Sequence, residues 1–67
     1  MNYKYILEEI KKANEYTVEA FDSLNEYENR HNNKYLAICK GYITEIDEIL
    51  SNLEIEINFK LEGDNNE

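Results

Sequence analysis

The sequence predicts a mainly α-helical fold, an antiparallel hairpin of two helices. Three observations support it: apolar residues recur at helical spacing in two long segments, an asparagine-rich stretch separates them, and the chain has no proline. Its 67 residues suggest one small domain, predicted at 1–62, with a polar tail at 63–67. A core of this size gives only about 3–5 kcal/mol of net stability, so such chains usually add a staple or a partner.

The first helix is predicted to span about residues 3–29. Two positions of a heptad repeat are apolar or small over four heptads, and Leu7 and Phe21 widen the resulting stripe. The first position holds Tyr3, Ile10, Thr17, Leu24 and His31, and the second holds Ile6, Ala13, Ala20 and Tyr27. Small residues in the middle of the stripe would let another helix come close. A break near Asn14 is the alternative.

The second helix is predicted to span about residues 34–52. Residues 29–33 form the connection, because asparagines tolerate the left-handed conformation that ends helices, and Asn33 is expected to cap the next helix. Such a short connection makes the two helices antiparallel neighbours. The apolar stripe of this helix consists of Tyr35, Cys39, Tyr42, Ile46, Ile49 and Leu53, with Leu36, Ile43 and Leu50 beside it.

After Asn52 the apolar period changes from helical to alternating. Leu53, Ile55, Ile57, Phe59 and Leu61 alternate with polar residues, which predicts a short β-strand over about 53–61. A strand in a helical hairpin has no partner within the chain, so it would pair with a second copy or another protein. The competing interpretation extends the second helix through this segment, leaving Ile55 and Phe59 on its far side.

The composition argues against catalysis, cofactors and metal binding. One cysteine and one histidine cannot build a zinc site, and neither a calcium loop nor a glycine-rich phosphate loop is present. Cys39 falls in the core stripe, and His31 falls in the turn. No apolar run resembles a signal peptide or a membrane span, so the expected location is the cytoplasm. The net charge of −8 disfavours direct binding to nucleic acid or to anionic membranes.

Acidic residues are concentrated in two parts of the chain. Residues 13–29 contain five acidic residues and no basic one, and residues 45–67 contain eight acidic residues and one basic. We call Glu15, Glu19, Asp22 and Glu26 the acidic stripe, because steps of four and three place them along one side of the first helix. The stripe predicts binding to a basic protein surface that normally holds nucleic acid. The alternative is a solvated helix face that keeps the protein in solution.

Two further groups of residues suggest association with other chains. Tyr5 and Tyr16 fall off the main stripe of the first helix, and exposed tyrosines are common at interfaces. An oligomer interface is predicted on the far side of the second helix and on the C-terminal segment. Its residues are Ala37, Gly41, Thr44, Ile55, Ile57 and Phe59.

In composition the chain resembles small acidic proteins encoded by bacteriophages and mobile elements of AT-rich bacteria. The resemblance lies in its richness in Asn, Lys, Ile, Glu and Tyr, as in residues 25–29, and it assigns no site residue. Several such proteins block host defence or nucleic-acid-handling machinery. The sequence therefore predicts a non-catalytic inhibitor or regulator with a protein partner, expected to be a homodimer. The alternative is a homo-oligomeric structural or assembly module.

Overall fold

Two long helices joined by a three-residue turn make up the protein. The computed structural model describes the backbone of residues 3–65 and the side chains of residues 3–63. Helix α1 spans Tyr3–Arg30, and helix α2 spans Lys34–Asn65. They pack against each other as a rod whose Cα atoms extend over 57 × 17 × 11 Å. The predicted helical hairpin is confirmed, and α1 runs through Asn14 without the break considered above.

The core is a narrow seam between the two helices. Ala13, Ile49 and Leu53 are buried together at its centre, with Ile6, Tyr16 and Ile46 packed around them. The small side chains of α1 allow the close approach that the heptads predict. Ser23 is also buried in α1, and its hydroxyl donates a hydrogen bond of 3.0 Å to the carbonyl oxygen of Glu19. That bond offsets the cost of placing a polar group in the seam.

The predicted stripe of α2 is the face that packs on α1. Three of its six members are buried and three are half-buried: Cys39, Ile49 and Leu53 in the first group, and Tyr35, Tyr42 and Ile46 in the second. Tyr42 contacts α1 through the ring of Tyr16, with 5.8 Å between ring centroids. This contact places Tyr16 inside the hairpin. The expectation that Tyr16 is an exposed surface tyrosine is therefore wrong.

The turn uses different residues from those predicted. His31 takes the left-handed conformation with φ of 53°, and its N–H donates to the carbonyl of Tyr27 at 2.7 Å, which is a common helix ending. The cap of α2 is Asn32 instead of Asn33, because the Asn32 side-chain oxygen accepts a bond of 3.0 Å from the N–H of Lys34. The tight turn sets the two helices side by side.

The predicted C-terminal strand at 53–61 is wrong. Helix α2 continues through that segment to Asn65, and residues 3–65 contain no strand. Leu53 is buried and Ile57 half-buried, which extends the helical stripe by one further turn along α1. A helix satisfies its backbone groups internally, whereas a lone strand leaves them without partners. The first three residues of the expected polar tail, 63–65, belong to α2, and the other two lie outside the described residues.

Candidate protein-interaction surfaces

Cys39 and His31 lie where the sequence placed them, in the seam and in the turn. Cys39 is only 4% exposed, at the packed side of α2. His31 lies in the turn, where its ring meets the edge of Tyr27 with 6.2 Å between centroids. In the described part of the chain, no three His, Cys, Asp or Glu side chains form a group that could hold a metal ion. Between residues 3 and 65, neither helix contains an apolar stretch long enough to cross a membrane.

The acidic stripe lies along the solvent side of α1. Glu15, Glu19 and Asp22 are exposed, and no salt bridge to any of the three is found in the described part of the chain. Glu26 differs from them, since it is half-buried and accepts a bond of 2.7 Å from the Arg30 guanidinium. Three of the four predicted carboxylates are therefore exposed without a salt bridge in the described part of the chain, and the fourth is paired with Arg30 near the turn.

A second ion pair on α1 is also local. The Lys12 ammonium donates a hydrogen bond of 3.1 Å to Glu9. This bond, together with the attraction of the Glu9 charge, raises the pKa of Lys12 above its ordinary value. Both ion pairs are exposed and join residues three or four apart, so each supports α1 by only a few tenths of a kcal/mol. Neither pair spans the two helices.

The two tyrosines predicted to bind a partner have different environments. Tyr5 is 39% exposed near the start of α1. Tyr16 lies against the core and contacts Tyr42, so most of its ring is occupied within the hairpin. Tyr5 is therefore the more exposed of the two, and half-buried Tyr16 presents less of its surface to a partner.

The residues of the predicted oligomer interface do not form one surface. Ala37, Gly41 and Thr44 are exposed on α2, and the Thr44 hydroxyl donates to the carbonyl of Lys40 at 2.9 Å. Ile55 and Phe59 lie further along the same side, 68% and 71% exposed. Ile57 lies on a different side, half-buried towards α1. Five of the six residues thus share the outer face of α2, and the sixth does not.

Gly41 allows a direct test of that outer face. A β-carbon added to Gly41 meets no atom within 4 Å, so Gly41→Ala is expected to raise the free energy of unfolding by about 1 kcal/mol through helix propensity. The measurement is the midpoint of urea unfolding followed by circular dichroism. Ala37→Gly on the same exposed face is the matched control and should lose a similar amount. Destabilisation by Gly41→Ala would indicate that another backbone packs here.

A further surface feature is an open apolar groove that the sequence interpretation did not single out. It has a volume of about 190 Å³ and lies along the junction of α1 and α2. Its lining consists of Thr17, Ala20, Phe21, Leu24, Cys39, Ile43 and Ile46. The widened stripes were the available signal, since Phe21 and Ile43 are the residues that broaden them on each helix. Both side chains remain more than half exposed.

Comparison of the chain with known protein families, curated proteins and solved structures finds no match.

Proposed function

We propose that this protein is a non-catalytic, protein-binding inhibitor or regulator that places the acidic stripe of α1 on a basic surface of its partner. The observation that carries the proposal is the row of exposed carboxylates at Glu15, Glu19 and Asp22, which are not neutralised by any salt bridge in the described part of the chain. They stand on an uninterrupted helix of 28 residues, which fixes their spacing.

The geometry of the stripe suits a surface that otherwise holds nucleic acid. Carboxylates three or four residues apart on a helix lie about 5–6 Å apart, in a line parallel to its axis. A nucleic-acid strand also presents a dense line of negative charge, which proteins bind with grooves rich in lysine and arginine. A rigid acidic rod can occupy such a groove and exclude the nucleic acid. The compositional resemblance to small phage-encoded inhibitors supports the same proposal.

The charges would act mainly on recognition. Exposed ion pairs each give little affinity, whereas complementary potentials raise association rates by tenfold or more at low salt. Apolar and aromatic contacts beside the stripe would supply most of the affinity. Partner binding should therefore weaken as salt rises, chiefly through slower association.

Charge reversal tests the role of the stripe. The variant Glu19→Lys/Asp22→Lys is expected to slow association with the partner by about tenfold or more at low salt, because it places two positive charges in the middle of the stripe. The matched control is Glu45→Lys/Glu48→Lys, which makes the same change in net charge at exposed positions of α2.

The measurement has two stages. Wild type first captures its partner from a lysate of the source cell, and that purified protein is then used to compare all three chains by surface plasmon resonance over a range of salt concentrations. Competition with the partner's nucleic acid is measured alongside. Equal association rates for the two charge-reversed chains, or a partner that binds wild type without salt dependence, would exclude the stripe as the binding surface.

A homo-oligomeric structural or assembly module is the second candidate function. The open apolar groove favours it, since Phe21 and Ile43 in its lining are more than half exposed and exposed apolar side chains of this kind are common where chains associate. The two candidates use different surfaces, so they can be tested separately.

A further inference from the structure

The hairpin hides few large apolar side chains. Its buried apolar residues are Ala13, Ala20, Cys39, Ile49 and Leu53, and among the described side chains no large one is fully enclosed. Two of the five are alanines, which bury little apolar area. A seam of this kind holds two helices together weakly, since helical stability in proteins comes mainly from packing an amphipathic face. Further burial of apolar surface would therefore stabilise this fold.

The side of the hairpin that carries the apolar groove has exposed apolar side chains that a second chain could bury. Phe21 and Leu24 of α1 and Ile43 of α2 line the groove from its two walls. Residues seven apart lie on nearly the same side of a helix, so Ile10 extends the wall of α1 and Leu36 and Leu50 extend that of α2. We call this surface the groove face, consisting of Ile10, Phe21, Leu24, Leu36, Ile43 and Leu50. All six side chains are between 37% and 62% exposed.

We infer that a second copy of this chain covers the groove face, so that two hairpins form a four-helix bundle. The size of the surface fits this occupant. The broad side of the rod has a Cα footprint of 57 × 17 Å, about 970 Å², which includes the polar margins of both helices and is the upper limit for a contact on this side. Each partner in a standard stable interface contributes roughly 800 Å². A second hairpin has the same length and the same apolar strip, so the two would cover each other from end to end.

The charge distribution around the groove also fits a second copy. No charged side chain lines the groove, so pairing two grooves buries no charge there. On α2, Lys40 and Asp47 lie one turn to either side of Ile43, and on α1, Glu28 follows Phe21 by seven residues. Both signs therefore flank the groove face, despite the net charge of −8 on the chain. Two copies can meet at this face with opposite charges at the edge of the contact.

Dimerisation at the groove face leaves the acidic stripe accessible. By helical periodicity, Glu15, Glu19 and Asp22 lie more than 90° around α1 from the groove residue Leu24. A bundle closed through the groove therefore presents one stripe on each copy. The inference rests on the second candidate function, which it makes specific, and it is independent of partner binding through the acidic stripe, since the two surfaces lie on opposite sides of α1.

The first test uses wild-type protein. Sedimentation equilibrium is expected to give a mass of twice 8.0 kDa at micromolar concentrations, and the thermal midpoint should rise with protein concentration, as for any folded dimer in equilibrium with unfolded chains. A folded chain of 8.0 kDa up to millimolar concentration, with a cooperative melt that is independent of concentration, overturns the inference. The inference is also overturned if the chain is monomeric alone and forms a helical bundle only when a different protein is added.

The second test compares the groove face with the outer face of α2 by matched substitutions. Phe21→Glu and Ile43→Glu place a carboxylate in the groove, where wild type has 62% and 54% exposure at these residues. Phe59→Glu and Ile55→Glu make the same changes at 71% and 68% exposure on the other side. The groove variants are expected to weaken dimerisation at least 100-fold, and the controls less than about threefold. If the control variants dissociate while the groove variants remain dimeric, the groove is not the interface.

Helical circular dichroism, measured over a range of protein concentrations, distinguishes a groove variant that fails to dimerise from one that fails to fold. A groove variant that loses its helical circular dichroism at micromolar concentration should recover it as concentration rises, if the defect lies in dimerisation. Failure to recover at any concentration, together with a wild type whose thermal midpoint does not depend on concentration, counts against the inference.

Discussion

Replacing Ile49 with alanine is expected to lower the free energy of unfolding by about 2–5 kcal/mol. Ile49 is 8% exposed and belongs to the central cluster with Ala13 and Leu53. Removing its branched side chain leaves a cavity, and the neighbouring residue across the seam is an alanine, which cannot fill it. A chain of this size has only about 3–5 kcal/mol to lose, so the variant should be largely unfolded in water.

The matched control for this prediction is Ile55→Ala on the same helix. Ile55 is 68% exposed, and its truncation should change the free energy of unfolding by no more than about 0.5 kcal/mol. Urea unfolding of both variants at one fixed protein concentration, followed by circular dichroism at 222 nm, measures the difference. Equal losses at the two positions would show that the seam described here is not the core of the protein.

Replacing Ile55 with proline is expected to cost about 3 kcal/mol or more. In a continuous helix the N–H of residue 55 bonds to the carbonyl of residue 51, and proline both removes that bond and clashes with that carbonyl. The side chain of Ile55 is exposed, so little of the effect comes from lost packing. The last turns of α2 should then separate from α1, with loss of helical circular dichroism and faster amide exchange beyond residue 51.

The same alanine variant separates backbone from side-chain effects at this position. Ile55→Ala should keep the full helical signal, because alanine is a strong helix former. If Ile55→Pro were as stable and as helical as Ile55→Ala, residues 53–61 would not be helical. The strand interpretation, in which an edge position tolerates proline, would then be restored.

The C-terminal segment shows why a pattern of period two was misleading. Leu53 and Ile57 fit the alternation, but they also continue the four- and three-residue steps from Ile46 and Ile49. Residues 53–61 contain neither proline nor glycine, and the next glycine is Gly63, so nothing in the segment ends the preceding helix. Ile55 and Phe59 produced the alternation, and the structure leaves both exposed. The helical alternative places both residues on the far side of α2, as the structure shows, but the alternation alone could not choose it, because a strand would have buried them on the same face as Leu53.

Tyr16 illustrates a different limit. The heptads locate an apolar face on α1 correctly, but that face is wider than one neighbouring helix can cover. Helix α2 lies nearer to the side of Ala13 and Tyr16, and it leaves Ile10 and Leu24 partly exposed. The heptad periodicity locates the centre of the whole apolar face of α1. Helix α2 packs on only one edge of that face, so the residues at its centre are not the most buried ones. The apolar residues that the contact between α1 and α2 leaves partly exposed form the groove face.

The turn could be located from composition, but its roles could not be assigned. Asn-Arg-His-Asn-Asn indicates a helix ending, and the sequence favours asparagine for the left-handed residue. The structure gives that position to His31 and uses Asn32 as the cap. A shift of one residue is enough to exchange these roles. Helix ends carry this uncertainty because several adjacent residues can supply similar hydrogen bonds.

The three-residue turn has a consequence for the order in which the chain assembles. Residues that meet across the seam near the turn are close in sequence, whereas Ala13 and Ile49, nearer the open end, are separated by 35 intervening residues. The entropy lost in closing a loop grows with its length, so contacts beside His31 form at least cost and each one shortens the next closure. We therefore expect the hairpin to close progressively from the turn outwards, with the packing of Ile6 against the cluster of Ala13, Ile49 and Leu53 among the last steps.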